Sequence, residues 1–360
     1  MKFLNPKRLK YIIYMTSVII LILAAFNTFL TFRIHNQIKQ IVTKPGEWPA
    51  GAYIHDPDIG FDFAPNISGL KPNGSYYVKS HQLGYRISEK KDAEKYRSGG
   101  LLSLGCSFTY GDEVEAWQTF TQLTANGLRI PVYNYGICSF SYTHALLKAQ
   151  KLKKQGVLDK LQPKYILLGC WSGLPSRSRL PFPPRASRQL PMPAAYMTKD
   201  GDEVRIQAPL NMESVFRLID LYREEGVGMN FKKFGKIFTS MPGFISLYLK
   251  NNSLYQKLNN HTFKSDVSDY EVYDFYFAGI QSIFSEYGAQ IIVLHMPNNA
   301  TDQPDQALKD AVANHPGITL VNGLDGIDKH RVPVADFQGV HPRPVAHMAY
   351  AREILNTITQ

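Results

Sequence analysis

The chain has 360 residues, 44% of them hydrophobic and 19% charged, with a formal net charge of +10. That composition excludes a disordered chain and supplies a core for one large domain with appendages, or for two domains. The basic balance suits phosphate, acidic glycans or anionic headgroups, and equally a soluble protein that merely happens to be basic.

Lys2, Lys7, Arg8 and Lys10 precede Tyr11 to Phe32, a run of 22 residues without a charge. As a helix it spans roughly 33 Å, against about 30 Å for a bilayer core. A cleaved leader has a shorter apolar region and a small-residue cleavage site, which Ala24-Ala25-Phe26 matches poorly. The run therefore reads as an uncleaved transmembrane anchor. Arg33, Lys39 and Lys44 follow closely, so the basic bias across the span is small. Residues 1–10 are taken as cytoplasmic and the bulk of the chain as extracytoplasmic, periplasmic or at the cell surface.

Residues 33–98 read as a stem and a small β-rich lead-in, in which Gly74 to Arg86 alternates as a strand or hairpin. Glu89 to Arg97 is a charged, solvated connection.

From Gly99 a βα rhythm begins. Strands are expected at 101–105, 130–135, 165–170, 290–295 and 318–321. Helical patterns cover 112–127, 141–161, 268–287, 304–314 and 344–357. Such alternation predicts an α/β fold over 99–360, a parallel sheet covered by helices on both faces. The rhythm breaks at about 175–265. Pro175 to Pro193 holds six prolines and four arginines and reads as irregular, and aromatic-rich helical patterns follow at 211–225 and 230–259. The stretch is expected to be an insertion after the third strand, serving as a lid or partner surface.

There is no internal repeat, P-loop, HExxH or CxxC pattern. Gly226-Val-Gly228 lacks the preceding strand and the third glycine of a dinucleotide loop. The spacings of Cys106, Cys138 and Cys170 match no zinc or redox motif.

Three stretches carry chemistry. In Leu101 to Gly111 an apolar strand ends at Gly105, and Ser107 opens the following turn at the carboxyl end of the sheet. Backbone N–H groups at that helix start face developing negative charge. Gly136 ends the second strand, where the lack of a side chain lets an N–H approach an oxyanion. His341-Pro342 precedes the last helix, which sets the imidazole near the same sheet edge to deprotonate Ser107. A lone histidine is more often structural; its pairing with a serine on the first strand favours the catalytic reading.

This combination resembles the SGNH hydrolase superfamily, or GDSL-like esterases, from Leu101 to the C-terminus. The resemblance implies a flavodoxin-like sheet, Ser107 as nucleophile and oxyanion donor, Gly136 as a second donor and His341 as base. Cys106 stands where an aspartate is usual, and Gly84-Tyr-Arg86 is similar to the lead-in of membrane-anchored bacterial members. Two blocks depart from the pattern. Where the third block has an asparagine donor, Gly169 to Leu174 offers Ser172 or Gly173. Where the last block has an aspartate three residues before the histidine, this chain has Gln338, with Asp336 two residues earlier. An oxyanion donor is worth about 10²–10³ in rate and a triad carboxylate roughly 10⁴, so compensation within the site decides whether catalysis survives.

The resemblance implies an acyl-ester hydrolase or O-acyltransferase, acting on a cell-surface glycan or lipid beside a membrane acyltransferase. It implies no metal, organic cofactor or nucleic acid. The competing expectation is a binding or assembly subunit that keeps the fold without the chemistry. Arg177, Arg179, Arg185 and Arg188 follow the third strand and are expected either to grip an anionic substrate or membrane surface, or to form a solvated basic loop.

Overall fold

The computed structural model describes residues 6–43, 52–70, 76–88, 97–181, 194–209, 211, 213–230, 232–237, 266–339 and 341–359. In chain order, helix α1 (Pro6–Thr43) precedes two antiparallel pairs, β1 (Tyr53–Asp56) with β2 (Gly60–Phe63), and β3 (Ser68–Leu70) with β4 (Tyr77–Lys79). Strand β5 (Leu101–Gly105) leads into the short helix α2 (Ser107–Tyr110) and then α3 (Phe120–Leu128). Next come β6 (Val132–Gly136), α4 (Tyr142–Lys154), α5 (Val157–Leu161), β7 (Tyr165–Cys170) and α6 (Leu174–Ser178). A hairpin of β8 (Tyr196–Asp200) and β9 (Glu203–Gln207) precedes α7 (Glu213–Glu225). The chain closes with α8 (Asp269–Phe284), β10 (Gln290–His295), α9 (Gln306–Asn314), β11 (Ile318–Asn322), α10 (Gly323–Lys329) and α11 (Pro344–Thr359).

These elements form two compact units, one of residues 1–45 with 212–257, the other of 46–211 with 258–360. The smaller contains α1, whose segment from Lys10 to Asn36 is long and apolar enough to cross a membrane. Towards the C-terminal end of α1, Thr31, Ile34 and Ile38 recur at helical spacing and are buried as α1 packs on α7, whose Val215, Phe216, Leu218, Ile219 and Tyr222 are also buried. His35 Nδ1 lies 2.7 Å from the Tyr222 hydroxyl. Sequence periodicity assigned α7 to an insertion in the α/β domain; in the structure it groups with the N-terminal helix. The rest of the 230–259 pattern lies largely outside the described residues.

The larger unit is built on one five-stranded sheet in the order β11-β10-β7-β5-β6, every neighbouring pair parallel. Numbered within the sheet this is 2-1-3-4-5, the doubly wound flavodoxin-like order, whose crevice lies at the carboxyl ends of the strands. The apolar strand runs are buried on both faces, as a helix-covered parallel sheet requires. Helices α3, α10 and α11 pack together, and so do α4, α8 and α9, flanking the sheet.

All five sheet strands lie within two residues of their expected positions. The expected helix over 112–127 does not form as one element. Gly111 and Glu113 have φ of 80° and 72°, which no right-handed helix accommodates. The segment becomes a turn and a 3-10 turn (Ala116–Gln118), and α3 starts only after Thr119, whose side chain accepts the Gln122 N–H.

The lead-in is part of the larger unit. Phe61 packs edge-on against Phe140, and Arg86 pairs by a β-bridge with Asn134 of β6. A buried ionic cluster adds to this join. Lys148 of α4 donates to both Asp62 oxygens at 2.8 Å, and Lys151 reaches Asp62 at 2.8 Å and also Asp56. Burial by itself would raise the Asp62 pKa, but the two ammonium groups hold it below the usual carboxylate range.

Asp62→Ala leaves Lys148 buried beside a lost partner and is expected to cost about 3–5 kcal/mol by denaturant unfolding. The double change Asp62→Leu with Lys148→Met is expected to recover most of that loss. Two fully buried histidines add a pH dependence. His144 stacks on Phe140 and His347 on Phe120, and burial first, then nearby positive charge, lowers both pKa values to about 3. The unfolded chain takes up these protons below about pH 6.5, while the folded chain stays neutral until about pH 3. Stability is therefore complete above pH 6.5 and falls on acidification, by about 2 kcal/mol per histidine at pH 5. Replacing both by Gln is expected to flatten the decline in thermal midpoint between pH 7 and pH 5.

Candidate active site

Three glycines at the strand ends create the seat for α2. A Cβ on Gly105 or Gly169 would lie 2.2 or 1.9 Å from Thr109 Oγ1, and one on Gly136 would lie 2.4 Å from the Tyr110 N. Only residues without a side chain let this short helix drop onto the carboxyl edge of the sheet. Gly136 thus has a packing role. Its N–H donates to Asn134 Oδ1 at 2.9 Å, so it does not present the free N–H expected of an oxyanion donor.

Ser107 opens α2 and is half-buried. The chain then turns sharply, and the N–H groups of Gly111 and Asp112 both donate to the Ser107 carbonyl at 2.9 Å. The left-handed Gly111 makes this closure possible, and Asp112 is returned to the immediate neighbourhood of Ser107.

Arg86 holds the same turn. Its guanidinium donates to the carbonyls of Tyr110 (2.6 Å), Gly111 (2.7 Å) and Val114 (2.6 Å). It also lies over the Tyr110 and Tyr76 rings at 4.3 and 5.0 Å. Asn134 adds a donor from the other side, its amide bonding Thr109 O at 2.9 Å. The Tyr76 hydroxyl donates to Asp112 Oδ1, and the Tyr77 N–H donates to Glu115 at 3.0 Å. None of Arg86, Asn134 and Tyr76 was singled out as a site residue from the sequence. Their roles depend on which carbonyls and carboxylates the fold brings near.

His341 lies between the 3-10 turn Val334–Asp336 and α11, half-buried, with its ring edge-on to Phe108 at 5.5 Å. Its nitrogens face two carboxylates of the turn behind Ser107. Nε2 is 3.8 Å from Asp112 Oδ2, and Nδ1 is 3.6 Å from Glu113 Oε1. The acids expected from the sequence are elsewhere. Asp336 uses its carbonyl to accept the Arg343 N–H at 2.8 Å, and Gln338 is exposed. Among the described residues neither of their side chains makes a hydrogen bond or ion pair with His341. His347, by contrast, is fully buried, and its Nδ1 accepts the Phe120 N–H at 3.1 Å.

Ser172 is exposed and its hydroxyl donates to Asp302 at 3.3 Å. Ser139, three residues beyond Gly136, takes φ of 71° and is half-buried, and its N–H has no acceptor among the described residues. A non-glycine residue in that region is a strained position of the kind found at functional sites. Nothing in the Cys-Ser-Phe-Ser sequence signals it.

The other visible wall is aromatic and cationic. Trp171 packs against Phe108 at 5.7 Å, and Arg177 lies over Trp171 at 5.3 Å while donating to Phe140 O at 3.1 Å. Arg179 is engaged with Val267 O and Asp269, both at 2.7 Å. Arg185 and Arg188 lie outside the described residues. No group of His, Cys, Asp and Glu suited to a metal occurs among the described residues, and the three cysteines are buried free thiols.

No protein-family model matches the chain, and no curated protein matches it significantly. Solved structures similar to it include an alpha/beta hydrolase enzyme from the metagenome of Lake Arreo, Spain, at 12% identity over 73% of this chain and 97% of that one, with a TM-score of 0.36. A member of the lipolytic protein G-D-S-L family from Veillonella parvula is 10% identical over 72% and 98% of the two chains, with a TM-score of 0.35. An acetyl xylan esterase from the rumen bacterium Butyrivibrio proteoclasticus is 10% identical over 78% and 71%, with a TM-score of 0.37.

Proposed function

We propose that the chain is a membrane-anchored, extracytoplasmic acyl-ester hydrolase or O-acyltransferase of SGNH type, with Ser107 as nucleophile and His341 as base. One observation carries this reading. Ser107 opens the turn at the carboxyl end of the inner strand β5, and His341 contacts the next residue, Phe108, and the acids closing that same turn. The sequence places these residues over 230 positions apart, and only the shared sheet edge unites them.

The reaction follows in two halves. Ser107 Oγ attacks the ester carbonyl as His341 takes its proton. The tetrahedral intermediate collapses, the alcohol leaves with that proton, and the acyl group remains on Ser107. Water, or a sugar hydroxyl, then attacks the acyl carbonyl and gives its proton to His341; the intermediate collapses, the Ser107 oxygen leaves with that proton, and the carboxylic acid or the acylated sugar is released. The free N–H groups at the start of α2 and that of Ser139 serve in this reading as oxyanion donors, replacing those expected of Gly136 and Ser172. A cell-surface glycan or lipid as acceptor, and a membrane acyltransferase supplying acyl groups, fit a chain tethered by the apolar segment of α1.

A second reading is a binding or assembly subunit. It is favoured by one specific observation, that the Gly136 N–H and the Ser172 hydroxyl are both taken up by protein acceptors. Fluorophosphonate labelling of the full chain separates the two. Ser107→Ala is expected to abolish labelling, and His341→Ala to slow it at least about 10³-fold. His347→Gln should leave it within about threefold after correction for stability. Full labelling of the Ser107→Ala chain would refute the assignment.

The arginines make a separate expectation testable. Arg177, beside Trp171, is proposed to attract an anionic part of the substrate, whereas Arg179 serves the fold through Asp269. Arg177→Gln is expected to raise KM for an anionic ester severalfold while sparing a neutral acetyl ester, with the difference shrinking at high salt. Arg179→Gln should affect both substrates equally and cost about 1 kcal/mol or less of stability.

A further inference from the structure

We infer that Asp112, the fifth residue after the nucleophile, is the carboxylate that orients His341, in place of any acid on the histidine's own loop. This rests on the reading of Ser107 and His341 given above and adds the missing third member. Its two oxygens divide the work. Oδ1 accepts the Tyr76 hydroxyl and the Glu113 N–H at 3.1 Å, which fixes the plane of the carboxylate. Oδ2 faces His341 Nε2 at 3.8 Å.

That separation is an ion-pair distance rather than a hydrogen bond. Catalytic contacts of this kind are often long without substrate and tighten in the complex, and a small rotation of the imidazole closes this one. Asp112 has 12% of its side chain exposed and Glu113 38%, so the interaction with Asp112 is the less screened of the two. Glu113 faces the other nitrogen at 3.6 Å and holds a left-handed backbone, which is what turns both carboxylates toward the ring.

The arrangement also explains how Gln338 is tolerated. A carboxylate stabilises the imidazolium that forms as Ser107 is deprotonated, and its position in the chain is immaterial if its geometry is right. Here the acid is bonded to the nucleophile's own carbonyl through its N–H, at 2.9 Å, so nucleophile and acid move as one unit. With Nε2 facing Asp112, Nδ1 is the nitrogen left to take the Ser107 proton, since Glu113 at 3.6 Å stands beyond hydrogen-bond distance of it. Because Asp112 acts through His341, it is a positioning residue.

The test compares fluorophosphonate labelling rates of full-length chains in detergent, together with turnover of a neutral acetyl ester. Asp112→Asn keeps an acceptor for the Tyr76 hydroxyl and replaces the charged oxygen facing His341 by a neutral amide NH2. It is expected to slow labelling about 10³–10⁴-fold and to lower kcat with KM nearly unchanged, at an unaltered thermal midpoint. Asp112→Glu should recover part of the loss, which a purely structural role does not predict. Should Asp112→Asn fold poorly, Tyr76→Phe retains the charge but releases its orientation and is expected to cost about 10-fold. Glu113→Gln is expected to have a smaller effect than Asp112→Asn, and Asp336→Asn almost none. Unimpaired labelling of the Asp112→Asn chain, or a large loss in Asp336→Asn, overturns the role of Asp112 and leaves the Ser107–His341 reading standing. If the unaltered chain is not labelled at Ser107, both fall together.

Discussion

The grip of Arg86 on the turn behind Ser107 is the constraint on which the site depends. Arg86 is only 3% exposed, and burying its guanidinium carries a large desolvation cost. Three carbonyl acceptors from one five-residue stretch and two tyrosine ring faces offset it. With its own N–H on Asn134 O at 2.8 Å, Arg86 connects the lead-in, the turn and the second sheet strand. The turn has no regular secondary structure of its own between Gly111 and Glu115, so these external donors define its path.

The lead-in is therefore more than a stem. Its strand β4 approaches the turn, Tyr76 and Tyr77 contribute a hydroxyl and an N–H to acids within it, and Arg86 contributes the cation. The ionic cluster of Asp56, Asp62, Lys148 and Lys151 and the aromatic contacts of Phe61 lock the same segment to α4. Packing energy far from the chemistry is converted into a fixed position for Asp112.

The glycines and the asparagine of β6 play the complementary part from below. Gly105, Gly136 and Gly169 admit Thr109 and α2 at distances no side chain permits, while Asn134 caps the same helix through its amide. Motif glycines at a strand edge invite an oxyanion interpretation. In this chain the hydrogen bond from Gly136 to Asn134 gives at least one of them to packing.

Much of the architecture was legible in the sequence because it follows from local periodicity. Five apolar runs of strand length separated by amphipathic helices determine a helix-covered parallel sheet, and a 22-residue uncharged run determines a helix long enough for a bilayer. Ser107 and His341 stood out by their places relative to those elements. What only the tertiary structure decided is which side chains meet them. The helix expected from Asp112 onward gave way to a left-handed turn, because Arg86 and Tyr76, distant in sequence, supply the bonds that a helix would have made internally. That turn brings Asp112 and Glu113 to His341 and leaves Asp336 and Gln338 aside. Likewise α7 joins the N-terminal helix because its buried stripe matches Thr31, Ile34 and Ile38. Such pairings are long-range contacts between segments whose local patterns are compatible with several partners, and only the packed chain selects among them.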